Sequence, residues 1–318
     1  MEQLGLDVAP RRLYTCTPSR LNAWLECPRR YRFAYLDRPA PPKGPPWAHN
    51  SMGASVHNAL AGWWREPYER RTPLLAAVLL TNGWISEGYR DQEQSELWRD
   101  RARTMVSGYA ATLDPADEPV GVERTVATRT RVLAVSGRID RLDRRGDELV
   151  VVDYKTGRRP LTTDDARGSL ALAIYAIASS RMMHRPCHKV ELHHLPTGEI
   201  VEWEHTDASL GRHLARAEEI AQEASAADEA YKAWRATGPP PARPAGTPSP
   251  GADVTAQAGA AEVPEEIDRA FAPLPGAICS WCDYRRHCPE GRAAAPDRSP
   301  WDGLATTDTY VVQPVSPT

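Results

Sequence analysis

The 318-residue chain contains no run approaching the roughly 18 consecutive apolar residues that a membrane span requires, so no transmembrane helix is expected. It also lacks an excess of one charge. Its 39 Lys and Arg stand against 42 Asp and Glu, for a net charge of −3, which excludes a globally basic nucleic-acid binder. No signal peptide is visible among the first residues, so the six cysteines are not expected to form a disulfide framework. Internal repeats are missing. So is any Gly-x-x-x-x-Gly-Lys-Ser/Thr phosphate-binding loop, which excludes the common nucleotide-driven motor chemistry.

What is present divides readily. Residues 237–262 hold six prolines and four glycines among 26 positions, a composition that cannot bury a core and reads as a disordered linker. Before it, Leu21, Trp24 and Leu25 recur at helical spacing behind Ser19, a candidate N-cap, and Pro28 opens a second short helix. The Pro-rich stretch 39–50 reads as a loop. Helical patterns follow at 53–65, 73–89 and 94–112, and strands are expected near 120–128, 131–140 and 148–155. A core helix over 167–182, a hairpin over 188–195 and 199–205, and a long Ala-rich helix over 207–236 complete the pattern. Positive charge is concentrated early, with eight Lys and Arg against four Asp and Glu in residues 1–60. Arg20, Arg29 and Arg30, near Trp24 and Tyr31, are candidates to contact phosphates while the rings stack on bases; a solvated helix face is the plain alternative.

The densest chemistry lies in Gly137-Arg-Ile-Asp140, followed by Leu149-Val-Val-Val-Asp153-Tyr-Lys155-Thr-Gly157. Leu149 to Val152 reads as a strand buried on both faces. Alternation along it places Asp153 and Lys155 on one side, where Asp140 from the neighbouring strand can meet them. Unpaired buried carboxylates are costly, and a divalent cation offsets that cost. Hard oxygen ligands suit magnesium or manganese, which would polarise a phosphodiester and acidify an attacking water beside Lys155. An exposed ion pair at a strand end is the commoner meaning of an isolated Asp-x-Lys triplet; the flanking residues are what weigh against it here.

Gly137-Arg-Ile-Asp140 with Asp153-Tyr-Lys155 resembles the PD-(D/E)XK nucleases, and within them the RecB-type group that includes AddB and the iron–sulfur nucleases of CRISPR adaptation. The resemblance implies an α/β, restriction-endonuclease-like core, a mixed central sheet flanked by helices, with a helical N-terminal extension and a C-terminal Cys-rich element. It implies cleavage of DNA with Mg2+ or Mn2+. By the same resemblance Gly53-x-x-x-His57 would supply a metal-binding histidine, the Tyr154 backbone carbonyl a further ligand, and Glu123 a carboxylate lining the site. Leu172-Ala-Ile-Tyr175 matches part of the family's Gln-Leu-x-x-Tyr helix, so Tyr175 would approach the DNA, but Ala171 replaces the glutamine.

Cys27 stands apart from Cys279, Cys282 and Cys288, which are spaced C-x2-C-x5-C. Local spacing suits structural zinc as well as a cluster. Resemblance to iron–sulfur relatives with the same split arrangement favours a 4Fe–4S cluster; Cys16 and Cys187 fall outside the pattern. The expected organisation is an N-terminal helical segment (1–50), a nuclease core with a helical insertion (51–236), the linker (237–262), the Cys-rich element (263–292) and a disordered tail (293–318). The implied activity is a cytoplasmic nuclease, more an exonuclease than an endonuclease, acting on single-stranded DNA or DNA ends in repair or recombination. Any unwinding would come from a helicase or other repair protein as partner. A non-catalytic DNA-end-binding module and a CRISPR-adaptation nuclease are the alternatives.

Overall fold

Helix starts follow the capping chemistry of the sequence. In the computed structural model, which describes residues 13–237 and 263–304, Thr72 caps α4 (Pro73–Asn82) by accepting from the Leu75 N–H, and Asp91 caps α5 (Gln92–Ala110) by accepting from Gln94. Thr162 and Asp165 form a reciprocal capping box on α6 (Thr163–Arg167), and Ser169 caps α7 (Leu170–Met183). The Pro-rich loop ends earlier than expected, because α3 already starts at Ala48 and runs to Arg65. The expected linker lies almost wholly outside the described residues.

The chain forms two compact units. The larger holds a six-stranded mixed sheet, ordered β1 (Tyr14–Cys16), β3 (Leu133–Arg145), β4 (Glu148–Lys155), β5 (Lys189–His194), β6 (Glu199–Glu204), with β2 (Gly121–Arg129) also paired to β3. β1–β3 and β4–β5 are parallel; the other pairs are antiparallel. β2 covers β3 from Ala134 to Leu142, so β1, paired at 133–135, and β4, paired at 141–145, must share the opposite edge. Between them, Ser136 to Asp140 have no strand partner on that edge among the described residues. The sheet opens there.

Alternation on β4 sets the two faces. Val150, Val152 and Tyr154 pack beneath α3, α4 and α5, whereas Leu149 and Val151 pack beneath α7 with Val126, Ile139, Leu142, Val190 and Leu192. Leu149 to Val152 are all at most 2 % exposed, as the double-sided apolar run predicts, and each contributes about 2 kcal/mol by burial. A buried polar chain crosses the α3/α5 side. Tyr109 Oη lies 2.7 Å from His193 Nδ1, His193 Nε2 lies 3.0 Å from Glu191, and Glu191 pairs with Arg145. Arg141, with Asp143 as its counter-ion at 2.9 Å, lies over the rings of Trp64 and Tyr154.

The second unit comprises residues 19–44 and 219–297. It contains most of α1 (Pro18–Glu26), α2 (Pro28–Tyr35), the later part of α8 (Asp207–Thr237), α9 (Glu265–Ala270) and α10 (Pro289–Ala294). Trp24, Tyr31, Tyr231 and Phe271 make its aromatic core through edge and stacked contacts. Two expectations are corrected here. Arg29 is buried, donating to the Phe271 carbonyl at 3.0 Å and pairing with Asp268, so it is not a surface phosphate ligand. Arg20 pairs with buried Asp228 at 2.8 Å and donates to Tyr31 Oη. Arg30 pairs with Glu26, and both it and Arg20 stay partly exposed. The segment expected as a tail from 293 is ordered through 304: Leu304 is buried in the α3/α5 core, and the Pro300 carbonyl accepts from Ala48 N–H.

Candidate active site

The opening in the sheet gathers the motif residues. Asp140 is the last β3 residue before pairing with β4 begins, and in continued register it would face Asp153. Its Oδ2 instead accepts from the Tyr154 N–H at 2.8 Å, so a carboxylate replaces a ladder carbonyl where the strands part. Oδ1 lies 3.2 Å from His57 Nδ1, one turn beyond Gly53 on α3. Asp153 and Lys155 emerge on the same side, their charges 2.5 Å apart. The Lys155 ammonium is the one donor beside the buried Asp153 Oδ2 among the described residues.

Glu123 completes the group. Its carboxylate, that of Asp140 and a ring nitrogen of His57 lie within 4.8 Å of one another. This set of imidazole and hard oxygens fits a divalent cation. Glu123 sits at φ 49°, in the left-handed region, while the β2–β3 register is the same on both sides of it. Such a conformation is strained for a non-glycine residue and turns this one side chain out of the regular alternation. Arg138 pairs with it at 2.5 Å.

The electrostatics match a site held for positive charge. Burial pushes the Asp153 carboxyl up; Lys155 opposes this and the Asp140 charge adds to it. Burial works against charge on His57, but Asp140, then Asp153 and Glu123, outweigh it and raise its pKa. The Tyr175 hydroxyl on α7 is pushed up to about 12, by burial first and then by the charges of Asp153 and Asp140.

Gly137 has a steric reason. A Cβ there would stand 2.6 Å from Tyr175 Cε1 and 3.1 Å from Pro18 Cδ. We expect Gly137→Ala to displace the Tyr175 ring, destabilising the fold by about 1–3 kcal/mol in a denaturant titration and slowing any cleavage with it. His194, which sequence reasoning did not single out, lies opposite Lys155 in register. Its Nε2 donates to the Gly157 carbonyl and its Nδ1 accepts from Thr197 Oγ1, both at 2.7 Å, holding the turn after Lys155. The His193-His194 pair closing the alternating Val190-Glu191-Leu192 strand was the available signal.

In the second unit Cys27, Cys279, Cys282 and Cys288 line one cavity. Backbone N–H groups point at the sulfurs: Arg30 to Cys27 at 3.5 Å and Gly291 to Cys288 at 3.3 Å. A Cβ on Gly291 would lie 3.4 Å from Cys288 Sγ and 3.5 Å from Cys279 Sγ, so the glycine keeps the space between them open. Among the described residues, no three of these sulfurs lie within 4.8 Å of one another.

No curated protein compared with the chain matches it. Several solved structures do match, among them a crystal structure from Eubacterium rectale described as "Putative exonuclease", at 9% identity and TM-score 0.30, covering 58% of this chain and 86% of that one. The family model of the PD-(D/E)XK nuclease superfamily matches residues 15–289, which span both motif strands and all four grouped cysteines. The chain belongs to the PD-(D/E)XK nuclease superfamily.

Proposed function

We propose that the chain is a divalent-metal-dependent deoxyribonuclease, an exonuclease on single-stranded DNA or DNA ends that serves repair or recombination, and that its grouped cysteines hold a 4Fe–4S cluster. The observation that carries the nuclease reading is the convergence of His57, Glu123, Asp140, Asp153 and Lys155 at the gap in the sheet, in a chain of this superfamily. His57, Asp140 and Asp153, with Glu123 and the Tyr154 carbonyl, would hold Mg2+ or Mn2+. When bound, that ion supplies Lewis-acid polarisation of the phosphate and a more acidic water. Lys155 places an ammonium where negative charge grows on the phosphate during attack, and Asp153 fixes that ammonium. Tyr175 bounds the site from α7 and orients the strand.

The cluster reading rests on two supports. Four thiols line one cavity, and backbone donors face two of the sulfurs. The split arrangement of one upstream and three downstream cysteines favours a cluster over zinc by resemblance, since local spacing suits both.

The test is degradation of end-labelled single- and double-stranded DNA by anaerobically purified protein. Cleavage with Mg2+ or Mn2+ and none with EDTA is expected, and the product ladder gives exonuclease or endonuclease action directly. Binding without cleavage under every metal condition would overturn the enzymatic reading.

A further inference from the structure

A second cavity, of about 400 Å³, lies away from the carboxylates, between the end of α6, strand β6 and the first turns of α8. Arg167, Trp203, His205, Ser209, Arg212 and His213 line it, and no carboxylate does. Arg212 has no ion pair or hydrogen-bond partner among the described residues. Arg167 pairs with Asp164 at 2.9 Å, but both side chains are well exposed, so the pair is worth little and exchanges readily. The Arg167 guanidinium also stands 5.7 Å from the Trp203 ring centre. The acidic neighbours on β6 alternate away from Trp203, and Glu202 is taken by Lys189.

Two buried polar atoms of residues lining this cavity lack partners, Trp203 Nε1 and His205 Nε2; both are closed off from solvent, so a ligand reaches them only as these side chains shift. An unsatisfied buried donor or acceptor costs about 1–3 kcal/mol, a cost a ligand would remove. His205 is 3 % exposed. Its Nδ1 lies 3.0 Å from Ser209 Oγ, whose own proton goes to the Thr206 carbonyl, so Nδ1 carries the ring proton and Nε2 is left bare. Burial, then His213 and His188, keep the ring neutral near pH 7; an anion beside Nε2 works the opposite way and makes it a second donor. The ligand class that satisfies two arginines, an indole N–H and an imidazole in one place is a phosphate.

We propose that this cavity is a second phosphate-binding site, which takes a phosphate of the nucleic-acid strand remote from the bond cleaved at Asp140, Asp153 and Lys155. The proposal rests on the nuclease reading for its substrate, and the fold supplies the path. A further cavity of about 290 Å³ contains Lys155 and His194 and is bordered by Asp165 and Ser169, while Arg167 and Gly168 border the basic one. The two cavities thus lie on either side of the turn that joins α6 to α7. A strand leaving Lys155 across that turn meets the basic cavity next.

The test compares wild type with Arg167→Gln/Arg212→Gln and, separately, Trp203→Phe. Binding of fluorescein-labelled oligothymidylate without divalent metal is followed by anisotropy across a salt series, with and without a 5′-phosphate. The double variant should bind about tenfold more weakly, and its log–log salt slope should flatten by about 0.7 for each phosphate no longer neutralised. Trp203→Phe, which keeps a ring and removes the N–H, should weaken binding about threefold, and it reads the same cavity should the double variant fold poorly. A deficit confined to the 5′-phosphorylated strand assigns the site to a terminal phosphate; an equal deficit on both assigns it to an internal phosphodiester. Hydrolysis of bis(p-nitrophenyl) phosphate, too short to reach the cavity, should be unchanged in both variants. Wild-type affinity and salt slope in both variants would overturn the proposal. Absence of cleavage by wild-type protein would sink the nuclease reading instead, and the salt slopes would still decide the cavity.

Discussion

Asp153→Asn and Lys155→Ala should each lose metal-dependent cleavage of end-labelled DNA by about a thousandfold, without unfolding the chain. The two losses have different physical origins. Asp153 is a buried acceptor with the Lys155 ammonium beside it and no other donor, at a strand end where Asp140 has turned to the Tyr154 N–H. Its amide replacement keeps the shape and removes the charge that a cation needs. Lys155 offers no metal ligand, so its removal should spare metal binding and remove the charge beside the attacked phosphate. Thermal melts with added Mn2+ separate the roles. Wild type and Lys155→Ala should be stabilised by the ion, and Asp153→Asn should not. Without metal, Asp153→Asn should melt at the wild-type temperature or above it, because a buried carboxylate has been relieved, with about 2–4 °C expected per kcal/mol gained. Wild-type cleavage by either variant would move the chemistry elsewhere.

How far the sequence could be read follows from how local each cause is. The Val-rich β4, the capped helices and the shared side of Asp153 and Lys155 depend on neighbours within a few positions, and periodicity reveals them. The edge gap that makes the site does not. It exists because β1, only three residues long, and β4 share one edge of β3, a pairing across more than a hundred residues. The turned backbone of Glu123 left no trace in composition either. The ion pairs of the early arginines show the same limit. Arg20 and Arg29 sit in a basic, aromatic stretch that reads as a nucleic-acid surface, yet their partners Asp228 and Asp268 lie about two hundred residues later. Leu304 is similar: a segment of unpromising composition is ordered because α3 offers it a core.

Cys279→Ser should be the most damaging single change in the second unit, giving protein without iron that is poorly soluble or melts more than about 10 °C lower. The reason lies in what that unit lacks. Around the cysteines the regular structure is thin, consisting of single turns at Ala277–Trp281 and Arg285–His287 and the six-residue α10. The apolar cluster there is small, with Phe33, Tyr284 and Cys288 as its buried members. The aromatic core closes the chain only as far as Phe271, so the segment that carries Cys279, Cys282 and Cys288 has little buried surface of its own. On the proposed cluster reading, thiolate–metal bonding holds that segment. Cys187→Ser is the contrast: that thiol is buried under α7, its pKa pushed up to about 12 by burial, and its loss should cost only local packing. Iron and sulfide per chain, measured beside the melting temperature, decide the matter. An unchanged melting temperature in an iron-free Cys279→Ser protein would show that the centre does not hold the fold, and zinc in place of iron in the wild type would replace the cluster with a mononuclear site.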